Sequence, residues 1–191
     1  ADHTVRDKEY LNTSIYKGQA VLYNNLELDL SGFYQLKNVL TVLQSASILQ
    51  NNGYLISDNH IYAALRNVKV LTGLQGRWQK LSEQPLIICD TGHNISGITE
   101  VMQNMLKTEY KQLHMVIGMV KDKDVNGVLA LLPTNATYYF CQPQLERALP
   151  ASELAEKAKE HNLNGQFFNS VSLAIQAAKE NATKDDLIFI G

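Results

Sequence analysis

The chain lacks most of the residues and patterns that mark a common site. It has two cysteines, Cys89 and Cys141, in 191 residues. Both sit inside apolar, strand-like runs with no Cys-x-x-Cys or Cys/His spacing, so buried thiols of a reducing compartment are expected rather than a disulfide or zinc. The five histidines, His3, His60, His93, His114 and His161, are scattered without metal-ligand spacing, and no H-E-x-x-H occurs. No G-x-G-x-x-G follows a strand and no G-x-x-x-x-G-K-[ST] is present, so the sequence carries neither a dinucleotide fingerprint nor a P-loop. No run approaches the roughly 18 apolar residues of a membrane span. The polar start Ala1-Asp2-His3-Thr4-Val5-Arg6-Asp7-Lys8 is no secretory signal. The cytoplasm is the expected compartment. Seventeen Lys and Arg against nineteen Asp and Glu leave a formal charge of −2, which gives no electrostatic case for nucleic acid or an anionic membrane. Any anion must be held locally.

What is present is an ordinary globular composition, 45% hydrophobic and 19% charged, in two regions of different texture. The first is expected to span residues 1–75. Ile15-Tyr16-Lys17-Gly18 and Val21-Leu22-Tyr23 read as strands, Asn24-Asn25 as a turn, and the alternating Leu26-Glu27-Leu28-Asp29-Leu30 as a half-exposed strand. A helix is predicted from Tyr34 to about Gln50, with Leu36, Val39, Leu40, Leu43, Ser47 and Ile48 inward and Asn51-Asn52-Gly53 as its stop. A second helix begins after Ser57, a suitable N-cap, with Ile61, Leu65 and Val68 on one face. Gly73 to Gly76 reads as a boundary.

Residues 76–191 then alternate strand and helix. Strands are predicted at Leu86–Cys89, His114–Met119, Thr137–Cys141, Phe167–Phe168 and Asp186–Ile190. Helices are predicted at Ile95–Lys107, with Ile98, Val101, Met102, Met105 and Leu106 inward, at Val125–Leu132, at Ser152–His161 with Ser152 and Glu153 as its start, and at Ser170–Asn181. Such alternation implies an α/β fold with right-handed crossovers and a doubly wound, mostly parallel sheet. Because Gly191 follows a buried strand directly, the domain is expected to continue beyond it, and the same is suspected before Ala1.

Candidate site residues gather where Leu86-Ile87-Ile88-Cys89 runs into Asp90-Thr91-Gly92-His93-Asn94. A buried parallel strand that ends in a tight polar loop opening a helix places ligands in the crevice beyond its carboxyl end. Asp90 there either binds a ligand or caps the turn that follows. His93 is either a hydrogen-bonding structural residue or a catalyst, and Asn94 suits the N-cap of the next helix. Arg77, in Gly76-Arg77-Trp78-Gln79, either serves an anion or stacks on Trp78. Asn38 either caps or solvates its helix, or offers an amide to a ligand. Lys121-Asp122-Lys123-Asp124 follows a strand end and reads either as a ligand-facing loop or as a solvated charge run.

These segments, with Gly32-Phe33-Tyr34-Gln35-Leu36-Lys37-Asn38, Gly118-Met119-Val120-Lys121-Asp122-Lys123-Asp124, Arg147-Ala148-Leu149-Pro150-Ala151-Ser152-Glu153-Leu154 and Asp185-Asp186-Leu187-Ile188-Phe189, together resemble folylpolyglutamate synthase/dihydrofolate synthase. This is a Mur ligase superfamily enzyme, and the resemblance is to its C-terminal domain plus the end of its central ATPase domain. It implies an ATP-dependent ligase that adds L-glutamate to the γ-carboxyl of folate through an acyl phosphate. Its Mg²⁺ ligands and P-loop would lie in an N-terminal domain that this sequence does not contain, leaving this chain inactive alone, and the protein is expected to be a monomer. By the same resemblance Asn38 would contact adenine, Arg77 the phosphates or ribose and Asp90 the ribose hydroxyls, with His93 near the reacting groups. One departure is Thr91-Gly92 and Ile95 where the family commonly has Asp-Gly-Ala-His-Asn-Pro. Losing that proline is expected to loosen the loop without removing a contact. Gln142-Pro143-Gln144-Leu145-Glu146 also departs from the usual Pro-rich run before Arg147. The alternatives are a Mur-type cell-wall peptide ligase domain and a non-catalytic α/β binding module.

Overall fold

A computed structural model describes residues 5, 6 and 10–191. His3 lies outside them. The chain divides into two compact units, residues 1–77 and 78–191, and each is built around its own apolar core.

The first unit begins with a three-stranded antiparallel sheet of β1 (Val5–Arg6), β2 (Leu11–Lys17) and β3 (Ala20–Leu28). The β2–β3 turn is Gly18-Gln19, where Gly18 has φ 62°, a conformation that glycine adopts at little cost. Asn24-Asn25, predicted as a turn, instead lies inside β3. Asn25 has φ 54° and the β2–β3 register shifts opposite it, which is a bulge. The ladder groups displaced there find hydroxyls. Asn25 N–H donates to Ser14 Oγ at 3.0 Å, and Tyr62 Oη accepts from Asn24 N–H at 3.0 Å while donating to Asn24 O at 2.8 Å. Hydroxyls from β2 and from a later helix thus keep the strand running through a dipeptide that favours turns.

Helix α1 (Gln35–Asn51) buries Gln35, Val39 and Leu43. Two residues expected inward, Leu40 and Ile48, are each 52% exposed, because the sheet covers a narrower stripe than the periodicity offers. Helix α2 (Asp58–Arg66) is held at its start by a reciprocal capping box, in which Ser57 accepts from the His60 backbone and His60 from the Ser57 backbone. Ile61 and Leu65 complete the core with Leu11, Ile15, Leu26 and Leu28. Val68 starts a separate short helix, α3 (Val68–Thr72), which is tied to β3 where Asp29 Oδ2 accepts from Lys69 N–H at 2.8 Å.

The second unit is a six-stranded sheet formed by β4 (Gln79–Glu83), β5 (Leu86–Cys89), β6 (Leu113–Gly118), β7 (Thr137–Cys141), β8 (Gly165–Phe168) and β9 (Leu187–Ile190), in the order β4-β5-β9-β6-β7-β8. All neighbours are parallel except β4, which pairs antiparallel with β5. The sequence does not announce β4, whose alternation is weak and whose residues are largely exposed. Helices α4 (Ile95–Met105), α5 (Val125–Leu129) and α6 (Ala151–Glu160) pack on one face with Ile88, Met115, Ile117, Tyr138, Phe140, Leu187 and Phe189. Helix α7 (Val171–Asn181) covers the other face with Ile87, Val116, Tyr139, Cys141 and Ile188. The strict alternation of these partners follows from the two-residue period of a strand. The result is the doubly wound arrangement expected. Leu106, expected inward, is 78% exposed because α4 ends one residue earlier and the chain turns off its face. Helix α6 starts at Ala151 with Pro150 as N-cap, not Ser152, and no side chain caps it.

Candidate functional site

At the carboxyl ends of the parallel strands a cleft of about 390 Å³ opens, within the usual range of small-molecule sites. Strand β9 is inserted between β5 and β6, so the chain leaves β5 on the α4 face and returns to β9 from the α7 face. Outward divergence of connections is what leaves a crevice at that end of an open sheet. The cleft floor is apolar, with Val116, Ile117, Cys141 and Ile190 among its residues, and its rim carries His93, Lys123 and Arg147.

One rim is the loop after β5. Asp90 is 3% exposed. Its Oδ2 accepts from Trp78 N–H at 2.7 Å and its Oδ1 from Gly92 N–H at 2.8 Å, short distances of the kind a charged acceptor gives. In the structure this carboxylate caps the turn that follows it and bonds the Trp78 backbone. Gly92 lies against the first turn of α4, and a Cβ there would meet the carbonyl carbon and oxygen of Gly97 at 3.2 Å. Asn94 caps α4 by accepting from Gly97 N–H at 2.8 Å, as its residue type suggests.

His93 is exposed on this loop and lines the cleft. Its Nδ1 is 3.0 Å from Thr91 O. A carbonyl oxygen only accepts, so this contact calls for a proton on Nδ1, and the tautomer that has it there leaves Nε2 as the ring's acceptor.

The opposite rim joins two motifs distant in sequence. Val120 and Ala148 form an antiparallel bridge, Lys121 N–H donates to Arg147 O at 2.9 Å and Leu149 N–H to Met119 O at 2.8 Å. Both acids of the charge cluster have structural partners. Asp122 pairs with Arg147 at 3.1 Å, and Asp124 caps α5 by accepting from Gly127 N–H at 2.9 Å. Lys123 lines the cleft. The 119–124 segment thus borders the cleft through Met119, Val120 and Lys123, while its two acids are engaged by Arg147 and the start of α5.

Two cysteines border the same cleft. Burial pushes the Cys141 thiol up to about 11. Burial, and after it the Asp90 charge, raises that of Cys89. A thiol held protonated is a poor nucleophile, and both shifts run in that direction.

Arg77 and Asn38 belong to the first unit. Arg77 is partly buried, with Nη1 donating to Gly76 O at 3.3 Å. The Trp78 ring lies in the core of the second unit beside Phe189, with ring centroids 6.3 Å apart. Asn38 is exposed in the second turn of α1, where it does not cap. Its Nδ2 donates to Oε1 of the buried Gln35 at 2.9 Å, so the Gln-x-x-Asn spacing is a pair of amides fixed across one helical turn.

Comparison with known proteins places this geometry. The chain is 35% identical over 144 residues to the dihydrofolate synthase/folylpolyglutamate synthase of Escherichia coli (strain K12), an alignment covering 74% of this chain and 32% of that protein. It superposes on the bifunctional folylpolyglutamate synthase/dihydrofolate synthase of Yersinia pestis, solved complexed with AMPPNP and a Mn ion, with a TM-score of 0.63 and 27% identity, covering 76% of this chain and 34% of that one. A bifunctional enzyme of the same name, solved with Mn, AMPPNP and L-glutamate bound, matches at TM-score 0.74 and 26% identity, over 97% of this chain and 43% of that one. The chain thus spans about a third of the E. coli relative. Residues 76–191 match the family model described as Mur ligase, glutamate ligase domain, and the chain belongs to that family.

Proposed function

We propose that this chain is part of an ATP-dependent ligase that adds L-glutamate to the γ-carboxyl of a folate. The observation that carries the proposal is the strand-end cleft with its apolar floor and its His93, Lys123 and Arg147 rim, on a domain of the Mur ligase family. A glutamate has two carboxylates and one amine, and a cationic rim recognises the first while His93 serves the second.

The reaction sets clear demands. A carboxylate resists attack until it is phosphorylated, so ATP transfers its γ-phosphoryl group to the folate γ-carboxyl. The glutamate amine then attacks the acyl phosphate and phosphate leaves. That amine must be uncharged, and in this reading His93 Nε2 takes its proton. Arg77 supplies a planar guanidinium for phosphate or ribose, and Asn38, held by Gln35, supplies an amide for the adenine edge. Among the described residues no three His, Cys, Asp or Glu side chains converge to hold a metal ion. In this reading the metal ligands and the phosphate-cradling loop are supplied by the N-terminal portion of a longer protein. No helix of the described residues is long and apolar enough to cross a membrane; the reading takes the enzyme to be cytoplasmic and monomeric. This chain alone is accordingly inactive.

The test is a chimera in which this chain replaces the matched third of the E. coli relative. ATP- and folate-dependent incorporation of labelled glutamate is expected. A folded chimera that turns over ATP with a UDP-linked peptide, but not with folate, would place the chain in a Mur-type enzyme instead.

A further inference from the structure

We infer that a polar pocket beside the cleft, walled by Lys121, Lys123 and Lys157, is a subsite for the α-carboxylates of a poly-γ-glutamyl tail, the part of a folate that earlier rounds of addition have already extended. The inference rests on the ligase reading for the identity of the ligand, and on the charges and their placement for the site itself. In that reading the product of each addition carries a free γ-carboxyl on its last residue, so it presents the same reacting group as the substrate did. Each addition also leaves one α-carboxylate behind. The tail therefore gains one negative charge per residue.

The pocket has a volume of about 450 Å³ and lies between the loop after β6, which supplies Lys121 and Lys123, and the start of α6, which supplies Glu153 and Lys157. Helices that follow parallel strands begin on the side where those strands end, so the pocket and the cleft open at the same end of the sheet. Lys123 lines both, and the two cavities are contiguous through it. Two carboxylates, Asp124 and Glu153, share the pocket with the three ammonium groups. Neither forms a hydrogen-bonded ion pair with them. Asp124 Oδ1 accepts from Gly127 N–H at 2.9 Å, and Glu153 Oε1 stands 3.9 Å from Lys157 Nζ, beyond hydrogen-bond reach. Among the described residues no carboxylate is within ion-pair distance of the Lys121 or Lys123 ammonium group. Lys123 and Lys157 are half-buried, so their charges are held at the pocket wall. Lysine also suits this ligand. A compact charge on a flexible stem follows carboxylates that arrive in a register shifting with every addition, whereas the planar fork of arginine, found at the cleft rim in Arg147, fixes one carboxylate in one geometry.

Two arms test this. In the chain itself, tri-γ-glutamate is titrated at low ionic strength and followed by NMR. Saturable shifts are expected at Lys121, Asn126 and Lys157, fading as added NaCl shortens the Debye length from about 10 Å to about 3 Å. No shift at these residues, or an equal response to sulfate at the same ionic strength, would show an adventitious ion only and overturns the inference. In the chimera described above, KM is measured for tetrahydrofolates carrying one, three and five γ-glutamyl residues. It is expected to fall about 3- to 10-fold from one residue to three, the scale of two partly exposed lysine–carboxylate contacts. In the double variant Lys121→Ala/Lys157→Ala that fall is expected to shrink to less than about twofold, with kcat, KM for glutamate and KM for the monoglutamyl folate unchanged. A tail-length dependence identical in the variant and the unmodified chimera, or a loss that is equal for all three folates, overturns the inference. If the double variant does not fold, the titration of the unmodified chain decides. A chimera inactive with every folate overturns the ligase reading, and the titration still decides whether the pocket takes a γ-glutamyl chain.

Discussion

His114 and Asp186 face each other at the end of the sheet remote from the cleft, with His114 Nε2 3.6 Å from Asp186 Oδ2. His114 Nδ1 lies 3.0 Å from Tyr139 Oη, so a buried polar chain crosses β7, β6 and the turn before β9. Asp186 is its anchor. Its oxygens accept from Thr183 N–H at 2.7 Å, Thr183 Oγ1 at 2.8 Å and Gln112 N–H at 3.1 Å, joining the α7–β9 turn to the approach to β6. These bonds, that from the Thr183 backbone foremost, hold the Asp186 carboxyl below its ordinary value of 3.8 against the opposing effect of burial.

A depressed carboxyl value in the folded state stabilises the protein while the group is ionised. The contribution is complete above the unfolded value of about 3.8 and is lost as the pH falls through the lower folded value. Asp186→Asn is expected to lower Tm at pH 7 by about 5–10 °C, the scale set by losing charged hydrogen bonds in a domain of this size. It is also expected to flatten the acid limb of the stability curve below pH 4. Thermal melts from pH 2 to 7 check both, and an acid limb as steep as that of the unmodified protein would remove Asp186 from the account.

The two thiols should differ in reactivity without either being reactive. With its thiol at about 11, Cys141 is about one part in a thousand thiolate at pH 8 by the ordinary titration relation, and it is buried as well. Cys89 is less buried and also raised. Alkylation at pH 8 followed by peptide mass spectrometry is expected to label Cys89 slowly and Cys141 more slowly still, with both labelled rapidly in urea.

Much of this fold is legible in the sequence because the two-residue and 3.6-residue periods report which face is covered. The parallel strands end in polar loops where expected, and Asp90, His93 and Asn94 fall at one strand end. What escaped has identifiable causes. Strand β4 is a mostly exposed edge with no apolar run to reveal it. Asn24-Asn25 carries turn residues, but the Ser14 and Tyr62 hydroxyls that sustain the bulge come from elsewhere in the chain. Leu40 and Ile48 follow the helical period, yet nothing in the described structure covers them as it covers Val39 and Leu43. The pairing of Lys123 and Arg147 on one rim depends on the Val120–Ala148 bridge, a long-range contact without a local signal. The burial of Asp90 is of the same kind, since the residue type alone suits a ligand or a cap equally.

Gly165 opens β8 where the backbone of Tyr138 passes so closely that a Cβ would clash with Tyr138 O and Cβ. Neither contact is the far end of a flexible side chain, so the strands must separate to accept it. Gly165→Ala is expected to destabilise the chain by about 3 kcal/mol, at the upper end of overpacking costs. Urea unfolding that gives less than about 1 kcal/mol would mean that β8 shifts freely.

Arg147 separates structure from recognition on the far rim. Its main chain holds the two loops together through Lys121 N–H and the neighbouring Val120–Ala148 bridge, and a side-chain substitution leaves these intact. Its guanidinium pairs with Asp122 at 3.1 Å, with both side chains more than half exposed, an arrangement worth little to stability in water. Arg147→Ala is therefore expected to change the unfolding free energy by less than about 0.5 kcal/mol. In the chimera the same substitution is expected to raise KM for glutamate about 10- to 100-fold, the scale of one lost charged hydrogen bond, with KM for ATP unchanged. Lys would restore charge but not the planar fork, so Arg147→Lys is expected to recover only part of the affinity. An unchanged glutamate KM in Arg147→Ala, in a chimera that is otherwise active, would move the carboxylate subsite off this rim.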